Sequence, residues 1–397
     1  LALLAWIATP SVVWSTVGGM ETPLVACGMA LSLWAVEREQ GRWLGAAIAG
    51  LLLTRPDTVV WLAALIPFIV TKRRLWASAW PFAIPVIAWL IWATWAFGTP
   101  VAHSVLAKTT VNPAHGDPWT AAALVKRWDW LSEAYGAAWP AGPPIGWAML
   151  ALGSGVVLAR HNKLWLAALL YLPLFALASH YGRSPRFFWY PVPSVWAASV
   201  VGAAGLQFLV DRLPRLGKHQ MAWVVLIGLN IGALSRLQDS ANWWREHQEN
   251  EDQMRARVGH WIAQNTPDHA TVAMEAIGYQ GTLSQRRIVD LAGLISPRVL
   301  EIAKDERKNA KRFARILSEL QPDVIVLRSY EVPKNRHFHG GRLFVNKQAK
   351  RRFLKQYPEA VRFTAPHPEH VRRNHTVVIY VSRSLDTVEE RETPRTP

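Results

Sequence analysis

Long apolar runs fill the first 238 residues, and mixed polar sequence with short β-branched runs fills the rest. A helix needs about 20 apolar residues to cross the hydrocarbon of a bilayer. Runs of this kind fall at 1–15, 20–36, 75–97, 145–159, 164–180, 187–209 and 219–237. The stretch 43–70 is too long for one span and is interrupted by Thr54-Arg55-Pro56-Asp57. Proline removes a backbone donor and clashes with the preceding turn, so two short helices meeting at a re-entrant break near 54–57 are predicted.

Beyond residue 238 the period changes. Helical spacing runs from Asp252 to Gln264, and again through 298–320 and 346–357. Between these lie ATVAM (270–274), RRIVDL (286–291), DVIVLR (323–328) and HTVVIYVS (375–382), which read as strands. Strands alternating with helices predict a small, mostly parallel sheet. The expected fold class is a polytopic α-helical membrane domain over 1–238, with an external loop at 98–144. A small soluble α/β domain over 239–384 and a disordered tail over 385–397 complete the chain.

Composition sharpens this division. Of the 22 Trp residues, 21 lie at or before Trp244. Only nine acids lie at or before Asp239, leaving 19 of the 28 for the remainder. The near-neutral mean hydropathy is an average over two solvents. Each acid in the first half needs an explanation, because a charge at mid-bilayer costs about 2.5–3.5 kcal/mol even on lenient scales.

Orientation follows from the short connections. Basic residues cluster in EREQGR (37–42), TKRR (71–74), RHNK (160–163) and DRLPRLGKH (211–219). By the positive-inside rule these loops are cytoplasmic. The loops near 10–19, 98–144 and 181–186 then lie outside, with the C-terminal domain. The chain opens LALLAWIATP, inside an apolar run with no basic leader, and further spans are expected upstream of Leu1. Cys27 is the sole cysteine and lies within a span, so the external domain has no disulfide. No GxGxxG loop, P-loop or Cys-x-x-Cys pair is present, and no nucleic-acid partner is expected.

Polar chemistry interrupts the apolar half in four segments. In WSTVGGMETPL (14–24), Glu21 sits in a helix first turn, where an acid favours the dipole. It is also a candidate to hold an acceptor hydroxyl or a metal ion. In LLLTRPDTV (51–59), Arg55 and Asp57 either satisfy each other at the break or line a cavity. The third segment spans 97–136. It places His103 and Lys108 just outside a span and carries an amphipathic stretch from Trp119 to Tyr135 suited to the headgroup plane. Lys108 reads as an interfacial anchor or as a phosphate contact. The fourth, SHYGRSPRFFWYPVP (179–193), sets Arg183 and Arg186 beside an aromatic belt. Guanidinium forks there suit the phosphate oxygens of a lipid. Asp117, Asp129 and Glu133 read as a solvated face, with a metal role as the alternative.

The order GGMETPL, LLLTRPD, FGTPVAHSVLAK, GRSPRFFWYPVP resembles membrane glycosyltransferases of the GT-C superfamily. Within it, the chain is similar to bacterial cell-envelope enzymes such as terminal arabinofuranosyltransferases. Phe97, Gly98, Pro100, Ala107 and Lys108 match an aromatic-Gly-x-x-Pro…Ala-Lys stretch, and RRIVDLAGLISPRV (286–299) resembles the C-terminal domains, with Asp290 and Gly293 at matching positions. The resemblance covers roughly residues 10 to 300 and its motifs are short. Ala102-His103-Ser104 replaces a common Pro-Asn-Thr.

The resemblance implies transfer of a sugar from a polyprenyl-phosphate donor to a glycan or lipid acceptor on the external face of the bacterial inner membrane. Lys108, Arg183 and Arg186 are then the candidates for the donor phosphate, with Arg186 foremost. Glu21, Arg55, Asp57 and His103 are the candidates for the cavity and acceptor. The family's catalytic acid lies in the first external loop after its first span, which is expected upstream of Leu1, so no residue here is assigned as the base. No cofactor is implied, and a divalent cation is left open. The competing classes are a transporter or flippase, whose helices are also broken, and a non-catalytic membrane scaffold that binds glycan.

Overall fold

The structure is a computed structural model. It describes residues 10–111, 120–137, 143–160, 163–182, 187, 189–212, 215–306, 308–329, 331, 343–368 and 375–385. The chain divides into two compact units: a helical unit of 1–100 and 116–241, and a C-terminal unit of 101–115 and 242–397. The expected first span and tail fall partly, at 1–9 and 386–397, outside the described residues. So do Asp117 and parts of the 98–144 loop.

In the helical unit, helices α1 (Pro10–Val17), α2 (Thr22–Glu37), α3 (Gly41–Thr54), α4 (Val59–Val70) and α5 (Ala79–Phe97) come first. Short 3-10 turns at Pro56–Thr58 and Arg73–Ser78 precede α4 and α5. Gly98 closes α5 in the left-handed region, φ 72°, as glycine does after a helix C-terminus. The residue before a proline is driven out of the helical region. Arg55, before Pro56, is accordingly extended at φ −148°, ψ 120°, and α3 ends there.

Helix α6 (His103–Thr110) belongs to the C-terminal unit, while α7 (Ala121–Ala137), α8 (Pro143–Arg160), α9 (Lys163–Tyr181) and α10 (Val192–Arg212) belong to the helical one. Helices α8 and α10 cross closely because both carry glycine at the crossing. A Cβ on Gly205 would lie 2.8 Å from the Gly153 nitrogen. The core centres on Trp61, 1% exposed. Its indole nitrogen donates to Ser32 Oγ at 2.8 Å, and its ring stands edge-on to Tyr171 and Trp196.

Among the described residues, two stretches, Arg73–Phe97 and Val192–Arg212, are long and apolar enough to cross a bilayer by length and composition. The helices at Thr22–Glu37, Gly41–Thr54, Pro56–Val70, Gly146–Arg160 and Trp165–Tyr181 are apolar but shorter. Arg73–Phe97 is 6% buried, with Trp80, Ile84, Ile87, Ile91 and Trp95 all exposed.

Helix α11 (Arg215–Asn250) is one helix of 36 residues. It runs through the composition change near 238, where a span was expected to end. It continues as a π-helical turn, Glu251–Ala256, into α12 (Arg257–Asn265).

The C-terminal unit contains β1 (Thr271–Met274), α13 (Tyr279–Ser284), β2 (Arg287–Asp290), α14 (Pro297–Asp305), α15 (Asn309–Leu320), β3 (Val324–Arg328), α16 (Lys347–Gln356), β4 (Glu359–Thr364) and β5 (Thr376–Val381). The sheet order is β2-β1-β3-β5-β4. Strand β1 pairs in parallel with β2 and β3, whereas β5 pairs antiparallel with β3 and β4. The expected mostly parallel sheet is therefore a mixed one. The correction comes from β4, an edge strand with exposed Glu359 and Arg362 that does not read as a strand. It joins β5 as a hairpin partner with a register shift between Glu359 and Val361. Central strand β3 is buried along Val324–Leu327, as expected for a strand covered on both faces.

Candidate functional site

Three of the predicted cavity residues meet in the helical unit. Arg55, 5% exposed, sits at the break that Pro56 imposes. Its Nε and Nη2 donate to Asp57 Oδ1 and Oδ2 at 3.0 and 2.7 Å, a fork-to-fork pair. Its Nη1 donates to Glu21 Oε1 at 3.1 Å. The Tyr190 ring faces the guanidinium carbon at 5.2 Å, within cation–π range. The break itself is satisfied locally. The Arg55 carbonyl accepts from Thr58 N at 3.1 Å and from Thr58 Oγ1 at 2.6 Å.

Glu21 stands at the N-terminus of α2 but makes no side-chain cap bond; its carboxylate goes to Arg55 instead. The side chains of Glu21 and Asp57 are 40% and 42% exposed, while that of Arg55 is 6% exposed. A buried cation thus fixes two carboxylates that keep one side open. Such carboxylates retain acceptor capacity for hydroxyl groups, since each offers about four lone-pair sites.

The other predicted residues lie elsewhere. His103 and Lys108 are half-buried on α6 in the C-terminal unit. Ala107 and Val111 of this segment pack on Leu300 and Ala303 of α14. Arg312 donates to Asn309 Oδ1 at 2.6 Å and reaches the Val111 carbonyl at 3.5 Å. Arg183 and Arg186 lie outside the described residues. Among the described residues, no group of three or more His, Cys, Asp or Glu side chains is arranged to hold a metal ion.

The motif around Asp290 has a local role. Asp290 is fully buried and accepts from the backbone nitrogens of Ala292, Leu294 and Ile295. Ser296 Oγ accepts from Asp290 N at 2.9 Å. Burial pushes the Asp290 carboxyl above its ordinary value despite these three donors. Gly293 in the same turn has φ 73°, and a Cβ there would lie 3.0 Å from Leu300 Cδ2 and 3.3 Å from Val111 Cγ2. The turn therefore needs both the acid and the glycine to seat α6.

Sequence reasoning missed Tyr190 as a partner of Arg55, having read it as one ring of an aromatic belt. It also missed a polar crevice in the C-terminal unit, lined by Arg255, Glu275, Gln280, Arg328 and Glu331. The available signal was position: Glu275 and Arg328 directly follow or end the apolar runs of β1 and β3.

A family model described as a domain of unknown function (DUF8728) matches residues 241–380, a segment that includes nearly the whole mixed sheet. No curated protein matches the chain.

Proposed function

We propose that this chain is an integral membrane glycosyltransferase of the bacterial inner membrane. It moves a sugar from a polyprenyl-phosphate donor to a cell-envelope glycan or lipid acceptor on the external face. The observation that carries this reading is the Glu21–Arg55–Asp57 cluster, in which a buried guanidinium holds two half-exposed carboxylates within an apolar helical unit. These residues come from GGMETPL and LLLTRPD, the first two motifs of the GT-C resemblance. The exposed apolar face of Arg73–Phe97 supports a lipid setting, because water-soluble surfaces seldom expose large contiguous apolar patches.

In this reading Glu21 and Asp57 hold an acceptor hydroxyl by accepting its proton in a hydrogen bond, and Arg55 fixes their positions. The acceptor oxygen attacks the anomeric carbon. The bond from that carbon to the phosphate oxygen breaks, and the electron pair leaves with the lipid phosphate. Cationic side chains stabilise that developing charge; Arg183 and Arg186 are proposed for this role. The hydroxyl proton passes to a general base, which is assigned to no residue of this chain.

The test uses the full-length protein in proteoliposomes with polyprenyl-phosphate-linked radiolabelled sugars and an envelope glycan extract. Transfer that requires the lipid phosphate, and that falls at least about 100-fold in Arg186→Ala, is the expected result. Transport of the lipid-linked sugar without transfer would instead identify a flippase.

A further inference from the structure

Helix α16 (Lys347–Gln356) reads KQAKRRFLKQ, with five cations and no acid. Successive residues advance by about 100° around an α-helix. Phe353, 3% exposed, and Ala349 share the face that packs on the core of the C-terminal unit. Lys347, Arg351, Leu354 and Lys355 follow i, i+4, i+7 and i+8 spacing, which sets them on the opposite face, and all four are exposed. Arg352 is exposed beside them. At about 1.5 Å per residue, the stripe from Lys347 to Lys355 is about 12 Å long.

The helix itself gains nothing from these charges. Like charges at i,i+4, such as Lys347 with Arg351 and Arg351 with Lys355, repel on a helix surface. Lys347 also sits in the first turn, where the macrodipole favours an acid. The cap is the neutral Asn346, whose Oδ1 accepts from Ala349 N at 2.8 Å. Other helices of the same unit neutralise their cations: Arg298 of α14 pairs with Glu301 and Glu319, and Arg315 of α15 pairs with Asp305 and Glu319. Among the described residues, Lys347, Arg351, Arg352 and Lys355 pair with no carboxylate. An anionic partner outside the chain would relieve both penalties.

The one apolar member of the stripe, Leu354, is 37% exposed among the cations. Single-stranded nucleic acids are held on aromatic platforms where bases stack, and the outward face of α16 has no aromatic ring, since Phe353 is buried. A surface of lipid headgroups asks only for a cluster of cations and an aliphatic side chain that reaches the acyl boundary. We propose that α16 is a docking face for an anionic phospholipid surface, with Lys347, Arg351 and Lys355 over the lipid phosphates and Leu354 between them. The net charge of +16 on the chain adds long-range attraction toward such a surface. Docking here rests on the charges of α16 and not on the transfer chemistry proposed for the helical unit.

The test is co-flotation of the full chain, held in phosphatidylcholine nanodiscs, with phosphatidylcholine vesicles that contain or lack phosphatidylglycerol. Capture by the phosphatidylglycerol vesicles alone, reversed by raised salt, is expected. Each cation near such a surface contributes roughly fivefold to partitioning, so Lys347→Gln/Arg351→Gln/Lys355→Gln should weaken capture about 100-fold. Arg245→Gln/Arg287→Gln/Lys304→Gln removes as many exposed cations elsewhere in the same unit and should change capture by less than about fivefold. That pair of variants separates a local face from net charge. All six side chains are exposed, so both variants should keep their melting temperature. Equal capture by vesicles lacking phosphatidylglycerol, equal loss in the two variants, or full capture of the α16 variant would each overturn the proposal. Release by an equimolar single-stranded oligonucleotide would do the same, by assigning the face to nucleic acid. No sugar donor is present, so failure here leaves the transfer reading standing, and failure of transfer leaves this one.

Discussion

In the helical unit the buried guanidinium of Arg55 reaches a partner 34 residues away, at Glu21; in the C-terminal unit the buried carboxyl of Asp290 finds its partners within five. The first arrangement joins two separate segments and leaves its carboxylates half open. The second closes on its own loop and leaves the acid with no exposed face. A charge that bridges two segments and holds partly exposed carboxylates has more to offer a ligand. A charge consumed by the adjacent backbone is explained by the turn it makes. Two motifs that look alike in sequence, each an acid within a short string, therefore separate into a candidate site and a structural turn.

The comparison can be broken by mutation. Asp290→Ala strands three backbone donors in a buried turn. At about 1–3 kcal/mol per unsatisfied group, and with Ile295 able to reach solvent, the C-terminal unit should lose about 3–5 kcal/mol. Accelerated amide exchange through β1, β2 and α14 is the readout; unchanged protection would show that the turn does not need the acid.

Arg55→Ala should cost less. Removing one partner of a fully buried ion pair costs about 3–5 kcal/mol, but the two acids left behind here are half exposed, so about 2–3 kcal/mol is expected. Thermal unfolding of the helical unit reads this, and Arg55→Lys should recover part of the loss by restoring the charge without the fork.

The smallest effect is in pH. Burial raises the carboxyls of Glu251, Asp290 and Glu331 above their ordinary values. A folded state with the higher pKa holds its proton more tightly, so these groups favour folding at low pH. That contribution is lost as pH rises from the ordinary values of 3.8 for Asp and 4.5 for Glu through the raised ones. The C-terminal unit should therefore lose stability at these sites as pH rises above the ordinary carboxyl values, and Glu331→Gln should flatten the slope. A slope unaltered in that variant would place the effect elsewhere.

Much of this architecture is legible in the sequence. Pro56 announces the break at Arg55, Gly98 the end of α5, and the β-branched runs of β1, β3 and β5 their burial. Strand β4 is not legible, because Glu359 and Arg362 give an edge strand a polar face without a core pattern. Nor is the continuity of α11, since a helix can run on unchanged while its surroundings change from apolar to polar composition. Of the candidate site, the residue types and their segments were visible. The pairing of Glu21 with Arg55, and the ring of Tyr190 over it, depend on packing between helices far apart in sequence, which no local pattern encodes.

The most direct measurement sets Asp57→Asn beside Asp290→Asn in the full-length protein, following donor-dependent sugar transfer and thermal unfolding together. Asp57→Asn leaves the buried guanidinium with one carboxylate and is expected to lose about 2–3 kcal/mol of stability while transfer per folded molecule falls at least about tenfold, and Asp290→Asn to lose stability while transfer per folded molecule is kept. Loss of stability in Asp57→Asn with transfer per folded molecule intact would contradict the assignment of the Arg55 cluster as the site of chemistry.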